Sequence, residues 1–148
     1  SDAQLFASLC VTGFERDRPE LAALALTSDG GLLGSVGTTG SGGNVTQYLA
    51  RQVRALGQPG DLLLLMSVTG NDVAVQEALE AAHERDMMAV VLTGRSGGNL
   101  AAQVRETDVL ICVPHDRGAR VRETHTLILH CLADGVDSQL LGDQEMPL

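Results

Sequence analysis

Large aromatic side chains are nearly missing: the 148 residues hold two phenylalanines, one tyrosine and no tryptophan. Packing then rests on Leu, Val, Ala and Met, and an oligomeric interface would add the buried apolar surface that a small domain lacks. Cysteine is scarce as well. Cys10, Cys112 and Cys131 are widely spaced, odd in number and form no CxxC pair, which argues against a structural zinc site. Their apolar contexts predict buried free thiols in a reducing, cytoplasmic compartment. Long hydrophobic runs are absent. The longest, Leu62–Met66, falls far short of the roughly 20 residues that cross a bilayer, so no membrane partner is expected. No signal peptide is recognised. Positive charge is in deficit: the net charge is −9, which opposes direct contact with DNA or RNA but not with a protein that binds DNA.

What remains is an ordinary globular composition, 44% hydrophobic and 20% charged, of a length that suits one domain. Leu5, Phe6, Leu9 and Cys10 share one face of a predicted helix over Asp2–Phe14. The charged break Glu15–Pro19 follows, then two strand-like pieces, Leu21–Leu26 and Leu32–Val36. The Gly/Ser/Thr-rich stretch Gly37–Asn44 has no lysine, so it is not a Walker-type loop. A helix is predicted from about Val45 to Leu56. Leu62–Met66 reads as a strand covered on both faces. A helix over Val73–Arg85 follows, with Asp72 as its N-cap. Then come a strand over Met87–Leu92, the polar loop Thr93–Gly98, a short helix at Leu100–Val104, a strand over Val109–Val113 and a long helix over Gly118–Leu140. Strands alternating with helices predict an α/β sandwich with a mainly parallel sheet. Ligands of such sheets bind at the carboxyl ends of the strands.

Ser67-Val68-Thr69-Gly70-Asn71-Asp72 is the most informative segment. A hydroxyl-rich turn between a buried strand and a helix N-terminus can hold an anion, because backbone N–H groups and the helix dipole point at it. The bland alternative is an ordinary strand-to-helix turn. Asp72 favours that alternative, since its carboxylate would meet a phosphate with like charge and already occupy donors as a cap. His125 and His130 stand five apart on the last helix and form no i, i+4 metal pair. Arg120, Arg122 and His125 read either as a basic patch or, more blandly, as a solvated helical face.

Several stretches resemble a known family. They are Phe14–Leu21 with Ala25–Asp29, Gln52–Asp61, Leu92–Gly98 and Ala119–His125. Together they resemble the bacterial phosphoheptose isomerases and the DnaA initiator-associating (DiaA) branch of the sugar-isomerase (SIS) family. The resemblance implies a three-layer αβα sandwich of flavodoxin-like topology, a homotetramer or dimer, and a phosphosugar site shared between subunits. It implies a single SIS domain that here lacks an N-terminal helical segment and a first phosphate loop. It also implies that a histidine and a glutamate on an early helix, with a glutamine and a histidine on the last, carry catalysis or bind zinc. Those positions fall on Leu5, Leu9, Arg122 and His130, so only His130 keeps the family residue. In the phosphate loop Ser67 is kept and Thr69 offers a hydroxyl, while Asp72 replaces a serine. An Asn-Asp pair that helps bind substrate falls near Thr38 and Thr39.

Leu5 and Leu9 can neither move a proton nor ligate zinc, and Arg122 stays charged. The expectation from sequence is therefore a non-catalytic, DiaA-like protein without cofactor. It would work through oligomerisation and partners, the DnaA initiator among them, with residual sugar-phosphate binding at Ser67, Thr69 and Arg122. The alternative is a sedoheptulose 7-phosphate isomerase of heptose and lipopolysaccharide precursor synthesis, for which zinc re-enters as a cofactor. A sugar-phosphate sensor with no replication role shares the same fold.

Overall fold

The computed structural model describes residues 1–26 and 45–142. The chain forms two compact units, Thr27–Arg122, and Ser1–Leu26 together with Glu123–Leu148. The predicted strand at 32–36 and the Gly-rich stretch at 37–44 lie outside the described residues.

The larger unit holds a parallel sheet. After a single 3₁₀ turn at Val45–Gln47 come α2 (Tyr48–Leu56), β1 (Leu62–Met66), α3 (Val73–Glu84), β2 (Met88–Gly94), α4 (Gly98–Gln103) and β3 (Val109–Val113). The strand order is β1-β2-β3, with Leu62 opposite Met88 and Val90 opposite Val109. Each strand returns to its neighbour through a helix, as parallel pairing requires. The mainly parallel α/β arrangement expected from the pattern is thus present. Leu63, Leu65, Val91 and Leu92 from the strands bury against Ala78, Leu79 and Ala82 of α3 and Leu100 of α4. In β1 it is the alternate residues Leu63 and Leu65 that are buried, while Leu62 is exposed. This differs from the uniform burial expected of Leu62–Met66, because successive side chains point to opposite faces.

A buried polar clip joins the far edge of this unit. His83 Nε2 stands 2.7 Å from Asp108 Oδ2, and the Asp108 carboxylate also accepts from the N–H groups of Ala89 and Arg105, each at 2.9 Å. Burial alone would push the Asp108 carboxyl up. The Arg105 N–H, His83 and the Ala89 N–H outweigh it and hold the group below the usual carboxylate range.

The smaller unit pairs α1 (Asp2–Thr12) with most of α5 (Gly118–Leu141), whose first turn belongs to the larger unit. Ser1 caps α1: its hydroxyl accepts from the Gln4 N–H at 3.4 Å. Gly13 ends the helix at φ +89°, where a Cβ would lie 2.3 Å from the Arg16 carbonyl oxygen. The helix therefore stops at Thr12, two residues before the predicted end. Residues Leu21–Leu26 do not form the expected strand, and Leu24 is 69% exposed. Apolar composition suggested a strand there, but a strand needs a pairing edge, and the Leu21 N–H instead reaches back to the Cys10 carbonyl at 3.1 Å. Among the described residues no helix is long and apolar enough to cross a membrane.

Candidate functional site

Parallel strands place their carboxyl ends on one edge, so the loops after β1, β2 and β3 meet there. The loop after β1 is held by its own hydroxyls. Ser67, 3% exposed, accepts from the Gly70 N–H at 3.0 Å and donates its own hydrogen to Asp72. Thr69 Oγ1 accepts from the Asn71 N–H at 3.0 Å. Asp72 stands at the N-cap position of α3 but makes no side-chain cap bond. The expected capping role is thereby corrected: Ser67 is the nearer donor and draws the carboxylate back across the loop. First-turn N–H groups of α3 are not taken by an Asp72 cap, which removes one of the two objections to an anion here.

Two glycines let the first and second loops nest. Gly70 has φ +75°, and a Cβ on it would sit 1.9 Å from the Gly97 carbonyl oxygen. Gly98, at φ +61°, would place a Cβ 2.5 Å from the Thr69 carbonyl oxygen. Asn71 Oδ1 then accepts from the Asn99 N–H at 2.9 Å and ties the loops together. The start of α5 comes to the same loop at Gly118. A Cβ on Gly118 would lie 3.4 Å from Val68 Cγ1 and 3.6 Å from a terminal nitrogen of Arg122. Ser67, Thr69 and Asp72 therefore share the loop after β1, and Gly118, one turn before Arg122 on α5, lies close to Val68 of that loop. Thr38 and Thr39 lie outside the described residues.

The remaining site residues belong to the smaller unit. Leu5 and Leu9 are half-buried on α1, and His130 is half-buried on α5. The Phe14 ring stacks on the His130 imidazole, with centroids 5.3 Å apart and planes 21° from parallel. Beside them Arg18 Nε donates to Asp137 Oδ1 in an ion pair whose side chains are each about 1% exposed. The other Arg18 nitrogens donate to the carbonyls of Leu9 and Cys10, both at 2.7 Å. Asp137 Oδ2 accepts from the Phe14 N–H at 2.9 Å. Burial would raise the Asp137 carboxyl, but the bonds from Arg18 and Phe14 prevail and hold it below the usual range. Burial pushes the Cys10 thiol up, against the pull of the Arg18 guanidinium.

Two expectations change here. Arg120, Arg122 and His125 do not share a solvated face: the two arginines are exposed, while His125 is 3% exposed and lies in the smaller unit. The cysteines are free, but Cys10 and Cys112 are half-buried and Cys131 is exposed. Residues that sequence reasoning passed over, Phe14, Arg18 and Asp137, are the polar and aromatic centre of the smaller unit. Arg18 stands in the charged break and in the family-resembling stretch Phe14–Leu21 without a role of its own, and nothing near Asp137 in sequence marks its partner.

Zinc does not fit these residues. Leu5 and Leu9 carry no donor atom, and among the described residues no group of three or more His, Cys, Asp or Glu could hold a metal ion.

Comparison with known proteins bears on both function and family. The SIS domain family matches residues 1–94. A phosphoheptose isomerase of Methylibium petroleiphilum is 50% identical over 99% of this chain and 72% of its own length. One of Thiobacillus denitrificans is 52% identical over 98% of this chain and 72% of its own. Among solved structures, a phosphoheptose isomerase from Neisseria gonorrhoeae matches with a TM-score of 0.80 at 47% identity, covering 93% of this chain and 70% of that one. One from Francisella tularensis matches with a TM-score of 0.83 at 39% identity, with the same coverage. The fold is thus the SIS-type α/β fold. These relatives are named isomerases across almost the entire chain, which overturns the expectation of a non-catalytic, DiaA-like protein. The chain belongs to the SIS domain family, alongside the phosphoheptose isomerases.

Proposed function

We propose that this protein isomerises a phosphorylated heptose between its ketose and aldose forms, with sedoheptulose 7-phosphate as the substrate. The observation that carries this is identity of about half the residues to proteins named phosphoheptose isomerase, over 98–99% of the chain. The geometry supports it at the anion. The Thr69 hydroxyl and the first turn of α3, whose N–H groups no Asp72 cap takes, are suited to a phosphate, and Arg122 adds a cation one turn after Gly118 on α5.

The reaction needs a group that takes a proton from one carbon and returns it to the next. The base accepts the C1 proton, the C–H electron pair forms the C=C bond of an enediol, and the carbonyl oxygen gains a proton. Reprotonation at C2 uses the C=C electron pair, the O1 hydroxyl gives up its proton as the C1=O bond forms, and the aldose results with no oxidant consumed. At the four family positions, Leu5 and Leu9 are inert and Arg122 remains a cation, so His130 carries the proton.

Incubation with sedoheptulose 7-phosphate in deuterium oxide tests this. The expected result is an aldose phosphate labelled at C2, with loss of about 10²–10⁴-fold in His130→Asn, the range typical of a general acid–base group. Turnover no higher than a buffer blank would sink the proposal.

A further inference from the structure

Phe14 stacks on the His130 imidazole, and the buried pair of Arg18 and Asp137 holds Phe14 and the end of α1. The Asp137 carboxylate divides its two oxygens. Oδ2 takes the Phe14 backbone N–H at 2.9 Å, and Oδ1 takes Arg18 Nε. Arg18 spends its other N–H groups on the carbonyls of Leu9, Cys10 and Pro19. One carboxylate therefore fixes the backbone of Phe14 and also the guanidinium that closes the C-terminal end of α1. His130 and Asp137 are seven residues apart on α5, about two turns and so on the same face. A Phe14 anchored at Asp137 can thus lay its ring on His130, as the 5.3 Å stack shows.

The ion pair is a poor choice if stability were its only use. Both side chains are about 1% exposed, and the desolvation of such a pair offsets most of its attraction. What it supplies is direction. The second torsion of a histidine side chain is broad and weakly restrained by its own backbone. A phenyl ring stacked on the imidazole face removes that freedom and leaves the ring edge, with both nitrogens, for proton exchange. Catalytic groups gain from being held in this way, since small misplacements are costly.

We propose that Arg18 and Asp137 are positioning residues for His130, acting through the Phe14 backbone to stack the ring that fixes the imidazole plane, a role that rests on the isomerase chemistry proposed above. Neither residue touches the reacting atoms. The clasp orients the group that does.

The test reads His130 directly by ¹H–¹³C NMR of the imidazole, assigned with His130→Asn, alongside kinetics with sedoheptulose 7-phosphate. In the wild-type chain the His130 ring protons are expected upfield of an unstacked imidazole. Phe14→Tyr keeps that shift, and Phe14→Leu and Asp137→Asn lose it. The latter two also lower kcat by about 10–10²-fold at little-changed KM, the cost of a displacement near 1 Å. Phe14→Leu keeps an apolar side chain in place and retains the fold should Asp137→Asn unfold, which circular dichroism verifies. His130 signals that stay at their wild-type positions in folded Phe14→Leu overturn the positioning role. So does an unchanged kcat. A wild-type chain without turnover overturns the isomerase reading instead, and the NMR shifts still decide whether the clasp sets the ring.

Discussion

Arg18 and Asp137, 119 residues apart in sequence, pair in the interior of the smaller unit with almost no exposed surface on either side chain. Removing one partner strands the other. Arg18→Ala is expected to cost about 3–5 kcal/mol in urea unfolding, because the Asp137 carboxylate stays buried without its cation. Replacing both by apolar residues, Arg18→Met with Asp137→Leu, should recover most of that loss. A double variant as unstable as Arg18→Ala would show that the pair contributes through geometry alone.

Acid should weaken the fold through Asp108 and Asp137. Both carboxyls lie below their ordinary range in the folded chain. A depressed carboxyl contributes stability that is present above its unfolded pKa, near 3.9, and lost as pH falls through the lower folded value. Melting temperature is therefore expected to hold near neutrality and to fall below about pH 4. Asp108→Asn should lower the melting temperature at pH 7 and flatten the acid limb, as a pH series of thermal melts would record.

Gly70 and Gly60 separate two costs of losing a glycine. Both have positive φ, but a Cβ at Gly60 meets nothing within 4 Å, whereas one at Gly70 meets the Gly97 carbonyl oxygen at 1.9 Å. Gly60→Ala should cost about 1–2 kcal/mol, the left-handed penalty alone. Gly70→Ala should cost more and should also abolish stabilisation by a sugar phosphate, because the nested loops must part. Equal melting temperatures for the two variants would contradict this.

Arg122 stands one turn after Gly118, where a Cβ would lie 3.4 Å from Val68 Cγ1 and 3.6 Å from a terminal nitrogen of Arg122. Arg122→Ala is expected to weaken sugar-phosphate binding about 10–100-fold, the worth of one charge-assisted hydrogen bond. Thermal shift reads this as a smaller rise in melting temperature at a given ligand concentration. Arg122→Lys should fall between, since a point charge replaces a planar fork.

Leu9 stands where the resembling family keeps a glutamate. Leu9→Glu restores a second proton-transfer group and is expected to raise kcat for sedoheptulose 7-phosphate, toward the about 10²-fold lower bound for such a group. An unchanged kcat in a folded variant would place the chemistry on His130 alone.

Periodicity and punctuation were enough for much of the larger unit. Leu62–Met66 bounded by Gly60-Asp61 and Ser67, and the alternation with helices up to Pro114, predict β1, α3, β2 and β3 to within two or three residues. A strand in a parallel sheet is written locally, as an apolar run between turn residues. The Ser67–Asp72 loop was legible for the same reason, since a hydroxyl-rich turn ahead of a helix is a local pattern. Leu21–Leu26 was misjudged because an apolar run gives composition but not a pairing edge.

The sequence by itself determined the family, the order of elements and the identity of the loop after β1, all of which depend on neighbouring residues. Tertiary structure alone decided that Asp72 bonds Ser67 instead of capping α3, and that Asp137 holds both Arg18 and Phe14. It also decided that Gly118, at the start of α5, comes close to Val68. Each of these depends on which donors and acceptors burial brings together. Residues more than a hundred positions apart meet only once the chain has folded, and a buried carboxylate takes whatever partners it then finds.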